Sequence, residues 1–248
     1  MHRFIVSPDA VRDGTIYLSG DDLKHLRQVL RLRAGDVIQV FDGSGTEYEA
    51  KLNEVGKIEA RAEILETRLA GTEPKIRVTL YQGLPKAEKM DLIIQKAVEL
   101  GIFRIVPVMT RRSVVQLGDQ DKKKKSDRWN RIAREAAKQS KRARVPEVAV
   151  PITLESAVKE LGNADLAIVL YENEQKKCLK ELLKCYNINK IEDIALFIGP
   201  EGGISNDEVL EMTLSGAVTA GLGKRILRTE TAAVSVISII MYEMGEMQ

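Results

Sequence analysis

Two glycine-punctuated segments near the C-terminus carry the residue types and spacings most able to do chemistry. The first, Gly199-Pro200-Glu201-Gly202-Gly203, lies between the apolar run 194–198 and Ile204-Ser205-Asn206-Asp207-Glu208. A short apolar run bounded by turn residues reads as a buried strand. Ser205 with Glu208 three residues on reads as a capping box, so a helix starts there. The second segment, Gly221-Leu222-Gly223-Lys224-Arg225-Ile226-Leu227-Arg228, follows a strand-like run and enters the apolar stretch 233–241, with Thr229 as its N-cap. Glycines let a backbone approach a flat ligand closely or take positive φ. Two such loops at the ends of neighbouring strands make a cleft, where ligands of open α/β sheets bind. The pair therefore points to a small cofactor held by backbone atoms.

The elements that must position these loops begin near Lys75. Strands are expected over 76–81, 102–109, 166–171, 195–198 and 217–222. Helices are expected over 86–100, ended by Gly101, and over 128–144. Strands alternating with helices mean a parallel α/β sheet covered on both faces. Residues 1 to about 70 differ: short strands, one helix over 21–33 with Leu23, Leu26, Val29 and Leu30 inward, and a hairpin turn at Asp42-Gly43-Ser44-Gly45. That pattern suggests a small β-barrel or roll, with 70–74 as linker.

The net charge of +2 conceals an asymmetry. From Arg111 to Val145 thirteen Lys or Arg stand against four acids, a local +9 that leaves −7 elsewhere. One cationic block on an otherwise acidic chain reads as a footprint for a polyanion, phosphates first. The plainer reading of lysines 122–125 is a solvated loop. The 128–144 helix weighs towards nucleic acid. Trp129, Ile132, Ala133, Ala136, Ala137 and Ser140 form its apolar stripe, and Glu135 is the one acid beside the bases that lie largely outside it.

Several chemistries are excluded. Val218 stands where a P-loop needs Gly, and Arg225 where it needs Ser or Thr. There is no G-x-S-x-G elbow, and no early G-x-G-x-x-G for a dinucleotide. Cys178, Cys185, His2 and His25 form no metal-ligand cluster, and the thiols read as unpaired. The N-terminus is too short in apolar length for a signal peptide. The run 232–242 falls short of the ~20 residues that span a membrane. A cytoplasmic address without metal or membrane partner is expected.

The segments Ile198-Gly199-Pro200-Glu201-Gly202-Gly203 and 222–232, Leu222-Gly223-Lys224-Arg225-Ile226-Leu227-Arg228-Thr229-Glu230-Thr231-Ala232, together resemble the SPOUT superfamily of RNA methyltransferases. Within it the chain is similar to the bacterial 16S ribosomal RNA uridine-N3 methyltransferases. The likeness spans nearly the whole chain, through His2-Arg3-Phe4, Val29-Leu30-Arg31, Lys96-Ala97-Val98-Glu99-Leu100-Gly101 and Glu135-Ala136-Ala137-Lys138-Gln139-Ser140. The resemblance implies a PUA-like RNA-binding β-barrel over 1–72 and a SPOUT α/β domain over 73–248 with a deep trefoil knot. It implies a homodimer, and S-adenosylmethionine bound by three loops. These map to Leu170, Tyr171 and Glu172; to Gly199, Pro200, Gly202 and Gly203; and to Leu222, Gly223, Arg225, Ile226, Leu227 and Thr229.

Methyl transfer to uridine N3 asks for a group that takes or orients the N3 proton and a cation for charge on the uracil oxygens. Glu201, Arg228 and Glu230 are the candidates, each with a structural alternative as loop brace or helix-start acid. The resemblance implies 16S rRNA within the assembled small subunit as the partner. Arg27, Arg31 and Arg33 of the barrel, with Arg111, Arg112, Arg131, Lys138 and Arg142, are the expected RNA contacts. With 4% aromatic residues, the chain has few stacking platforms, so folded RNA shape and phosphates must carry recognition. A non-catalytic assembly factor is a second reading, against which the intact glycine loops argue. A methyltransferase for another position or for tRNA stays open.

Overall fold

The computed structural model describes residues 2–86, 88–113, 117–187 and 190–247. Ala87 of the expected 86–100 helix, and 114–116 of the basic block, lie outside the described residues. The chain divides into two compact units, Met1–Glu73 with Ala137–Val145, and Pro74–Ala136 with Pro146–Gln248. The first unit thus takes a segment that a single boundary near residue 72 leaves with the second.

In the first unit, β1 (His2–Ile5), β2 (Val11–Arg12), β3 (Thr15–Ser19), α1 (Gly20–Lys24), β4 (Val37–Phe41), β5 (Thr46–Val55) and β6 (Glu59–Leu69) follow in order. They form a six-stranded sheet, β1-β4-β5-β6-β3-β2, antiparallel except where β1 pairs with β4. Ile16, Leu18, Leu26, Ile38, Val40, Ala50 and Leu52 fill its core. The two-residue period puts Ile38 and Val40 on one face. The 42–45 turn is present: buried Asp42 accepts from Ser44 N–H at 2.8 Å and its hydroxyl at 2.6 Å, and from the Tyr48 hydroxyl. The expected 21–33 helix is shorter. α1 gives way to a π turn over His25–Val29, and Arg31 reverses the chain at φ 55°. The wider turn swings Val29 off the apolar stripe into solvent.

The linker candidate is anchored. Glu73 accepts from the Arg142 guanidinium at 2.6 Å and from the backbone N–H groups of Ala143 and Arg144.

The second unit holds β7 (Arg77–Gly83), α2 (Lys89–Glu99), β8 (Arg104–Met109), α3 (Asp119–Gln139), β9 (Glu147–Val148), β10 (Ile152–Thr153) and α4 (Leu154–Leu161). β11 (Leu166–Leu170), α5 (Leu179–Cys185), β12 (Asp193–Ile198), α6 (Asn206–Leu214), β13 (Val218–Ala220) and α7 (Thr229–Glu243) follow; the last three residues of α3 group with the first unit. The sheet is parallel throughout, in the order β10-β8-β7-β12-β11-β13 with β9 beside β8. Ala195 and Phe197 pack with Leu154, Ala157 and Leu161 of α4 and with Met212 of α6. Ile194 and Leu196, on the other face, are buried as well, and α7 packs on β12 and α2. Burying one such side chain contributes roughly 1.5–3 kcal/mol, which is why these strands read as continuous apolar runs.

α3 begins earlier than its apolar stripe suggested. Lysines 122–125 are helical, behind Asp119 and Asp121 in the first turn, with Lys122 paired to Asp119 and the Lys125 ammonium 5.7 Å from the Trp129 ring centre. Acids at a helix start and good helix-forming lysines explain the extension. The helix stops at Gln139, and Lys141 turns the chain at φ 61°. Among the described residues no helix is long and apolar enough to cross a membrane.

Candidate active site

Parallel strands deliver their outgoing loops to one edge of the sheet. Beyond the ends of β11, β12 and β13 lies a cavity of about 430 Å³, walled by residues of the 170–172, 199–203 and 222–229 segments and by Lys89 from the first turn of α2. Gly202 is the exception among the expected positions. A Cβ there would meet Arg112 at 3.1 Å, so its open face is turned to the loop after β8 and not to the cavity.

The loops are fastened to one another. The segment after β11 is laced to the strand beside it: Gly221 N–H donates to Lys177 O at 2.8 Å, Leu179 N–H to Gly221 O, and the Thr219 hydroxyl to Glu174 at 2.7 Å. Gly221 is required by close approach, since a Cβ would sit 2.5 Å from Glu174 O. The Tyr171 hydroxyl donates to Asn206 at the start of α6, where Ser205 and Glu208 form the expected capping box. Arg228, not Thr229, is the N-cap of α7. Thr229 sits one residue inside the helix, and its hydroxyl donates to Gly199 O at 2.7 Å while accepting from buried Gln82 at 2.9 Å. That pair ties the second glycine segment to the first.

The backbone N–H groups of 222–228 donate to no other group among the described residues, although all seven residues line the cavity. Unpaired donors in a row suit a ligand rich in acceptors, and the volume suits one of cofactor size. The lining carries the acids Glu172 and Glu201 and the cations Lys89, Lys224, Arg225 and Arg228. The donor set therefore fits S-adenosylmethionine, whose adenine, ribose and carboxylate accept hydrogen bonds.

The three candidate catalytic residues are not equivalent. Glu201 and Arg228 line the cavity; Glu230 does not, and meets it through Lys89. The Lys89 ammonium stands 3.0 Å from Glu201 Oε1 and 3.3 Å from Glu230 Oε2, and Lys86 N–H also donates to Glu201. Both Lys89 contacts are ion pairs, and Glu230 Oε2 is buried with no hydrogen-bond partner. Burial pushes the Glu201 carboxyl up, but its own backbone N–H, Lys89 and Lys86 N–H outweigh this and hold it below the usual carboxylate range. The Glu201 carboxylate in turn raises the Lys89 ammonium. The Arg228 guanidinium makes no ion pair with another described residue. Lys89 carried no signal in the sequence: it is an ordinary lysine at a helix start, far along the chain from both acids it binds.

Of the expected RNA contacts, Arg27, Arg31, Arg33 and Arg131 are exposed. Arg111 is exposed but holds Asp207 and Glu211 of α6, and Arg112 donates to Gly202 O. Lys138 is half-buried against Asp22. Arg142 is corrected outright: at 4% exposure and paired to Glu73, its guanidinium is an internal bond and not a surface contact. Among the described residues no group of three or more His, Cys, Asp or Glu is placed to hold a metal ion.

The RNA methyltransferase domain matches residues 72–241, and the RNA methyltransferase PUA domain matches 18–65. The chain belongs to the RNA methyltransferase family. It is 36% identical over 231 residues to the ribosomal RNA small subunit methyltransferase E of Bacillus subtilis, covering 92% of this chain and 90% of that one. A ribosomal RNA small subunit methyltransferase E of Neisseria gonorrhoeae, solved bound to S-adenosylmethionine, superposes with TM-score 0.84 at 32% identity over 98% of both chains. A Legionella pneumophila protein solved with its cofactor SAM gives 0.83 at 29% identity over 97% of both. The family match covers both the PUA region and the α/β domain that holds the cavity.

Proposed function

We propose that this chain methylates N3 of a uridine in the 16S rRNA of the small ribosomal subunit, with S-adenosylmethionine as donor. The observation that carries the reading is the row of unpaired backbone donors along 222–228 in a cavity whose lining includes Glu201 and an Arg228 without an ion pair. Family membership and the rRNA methyltransferases to which the chain is similar support it. When bound, the cofactor supplies a methyl group on a cationic sulfur that is already a good leaving group. What remains for the protein is placement and one proton.

Glu201, ionised on the wall, accepts the N3 proton at a carboxylate oxygen, which leaves the N3 electron pair to take the methyl group. Arg228 faces the uracil oxygens, where negative charge develops as N3 loses its proton. The N3 proton lies inside a Watson–Crick pair, so the target uridine must be unpaired or drawn from its stack. Of the expected contacts, Arg27, Arg31, Arg33 and Arg131 are exposed and available to rRNA phosphates.

Two further features belong to this reading. A knot is part of this reading, and what supports it is that the chain leaves edge strand β13 and enters α7 at a residue tied to Gly199 beyond β12. A homodimer accounts for apolar Leu92, Ile239 and Tyr242, exposed on the packed pair α2 and α7.

The deciding experiment is mass spectrometry of rRNA from cells with and without the gene. One methyl group on a 16S uridine should disappear and return on adding purified protein, cofactor and small subunits. Intact 16S methylation in the deletion strain would refute the proposal.

A further inference from the structure

We propose that Lys89 is a positioning residue that couples Glu201 and Glu230 into a single anionic centre at the cavity wall, joining the 199–203 loop to the start of α7. Its use in catalysis rests on the methyl-transfer reading; its geometry does not.

One ammonium lies between two carboxylates, at 3.0 Å and 3.3 Å, and the three side chains come from α2, from the loop after β12 and from the first turn of α7. None of the three is more than about one-third exposed: the side chains are 32%, 27% and 16% accessible. The ensemble carries one net negative charge. Without the ammonium, two like charges would remain side by side in a half-dry site, and the Glu201 carboxylate would protonate more readily. Lys89 thus favours the ionised form of Glu201 and fixes it, while Arg228, also in the cavity lining, makes no ion pair.

The other charged groups around the cavity do not substitute for it. Glu172 stands on the 170–172 side, and Lys224, Arg225 and Arg228 on the 222–229 side. None makes an ion pair with Glu201, whose other partners are its own N–H and that of Lys86. Glu230 reaches Glu201 only through Lys89. A plain structural salt bridge would hold the loop; this arrangement also sets which protonation state the wall presents.

The test is a carboxyl titration of the cofactor-free protein by 13C NMR, with the Glu201 signal assigned through Glu201→Gln. The folded-state midpoint of Glu201 is depressed, so the ionised form persists below the ordinary carboxylate range in the native protein. In Lys89→Met the midpoint should rise by about one pH unit or more, and Lys89→Arg should restore most of the depression. Glu230→Gln, which removes the competing acid without removing a cation, should lower the midpoint further, and serves if Lys89→Met does not fold. An unchanged Glu201 midpoint in whichever of these variants folds would overturn the proposal. The acid limb of kcat/KM for rRNA methylation should move up with the midpoint in Lys89→Met. A rate loss with no movement of that limb would leave Lys89 a mere brace and overturn the coupling. Failure of the native protein to methylate rRNA would refute the functional reading while leaving the titration result standing.

Discussion

Gly199 and Gly202 belong to one short loop, yet side chains added there would meet different neighbours. At Gly199 a Cβ would press on Ile204 at 2.7 Å and on the Gly203 backbone at 3.3 Å, both part of the cavity wall. At Gly202 it would meet Arg112, away from the cavity. Gly199→Ala should therefore weaken S-adenosylmethionine binding by more than about tenfold in calorimetry, because the wall itself must shift. Gly202→Ala should leave the dissociation constant within about threefold and show its cost in thermal stability instead. Equal losses would show that the two glycines do the same job. The sequence made the loop legible, since glycines at a strand–helix junction have few other uses. It could not say which glycine faces a ligand, because that depends on the turn's φ and ψ and on Arg112, remote in sequence. Lys89 was illegible for the same reason: its partners are brought to it by the sheet.

At the scale of elements, strands β7, β8, β11 and β12 and helices α2 and α6 were readable from periodicity and caps, for burial on both faces or on one stripe leaves a plain pattern. The end of α3 was not. Ala143 is buried and Arg142 is drawn inward, so the cationic run that looked like surface passes through the first unit's interior. Charge alone does not reveal an internal partner such as Glu73, which sits in the stretch read as linker. Arg142→Met should lower the unfolding free energy by about 3 kcal/mol, because the Glu73 carboxylate is left in place with only backbone donors. Urea unfolding of the full chain measures this. A change below about 0.5 kcal/mol would mean that the pair is as weak as an exposed one.

For the whole molecule, the uneven charge becomes informative only after the internally bonded cations are set aside. Arg142 is buried and Lys138 is half-buried against Asp22, which leaves Arg27 and Arg31 of the first unit and Arg131 of the second as better probes of RNA contact. Changing these three to Glu together should weaken rRNA-fragment binding. The plot of log affinity against log salt should become shallower by roughly 2–3, since each phosphate that an arginine neutralises adds about 0.9 to the slope. Cofactor affinity should not follow. An unaltered salt slope would return these arginines to the role of solvated surface.

The seven residues 222–228 form neither helix nor strand, and Lys224, Arg225 and Ile226 stand exposed within them, Ile226 at 84%. A stretch whose amides have no internal partner is held in place chiefly by its two ends, so it is the natural place for a protease to enter. Trypsin should cut first after Lys224 or Arg225, separating α7 from the rest of the chain. A ligand that fills the row of donors closes that door: at a hundred times its dissociation constant, opening becomes costlier by about 2.7 kcal/mol. Digestion should then slow by roughly the same factor of a hundred, and the cellular half-life of the chain would come to depend on how well the cofactor pool is supplied.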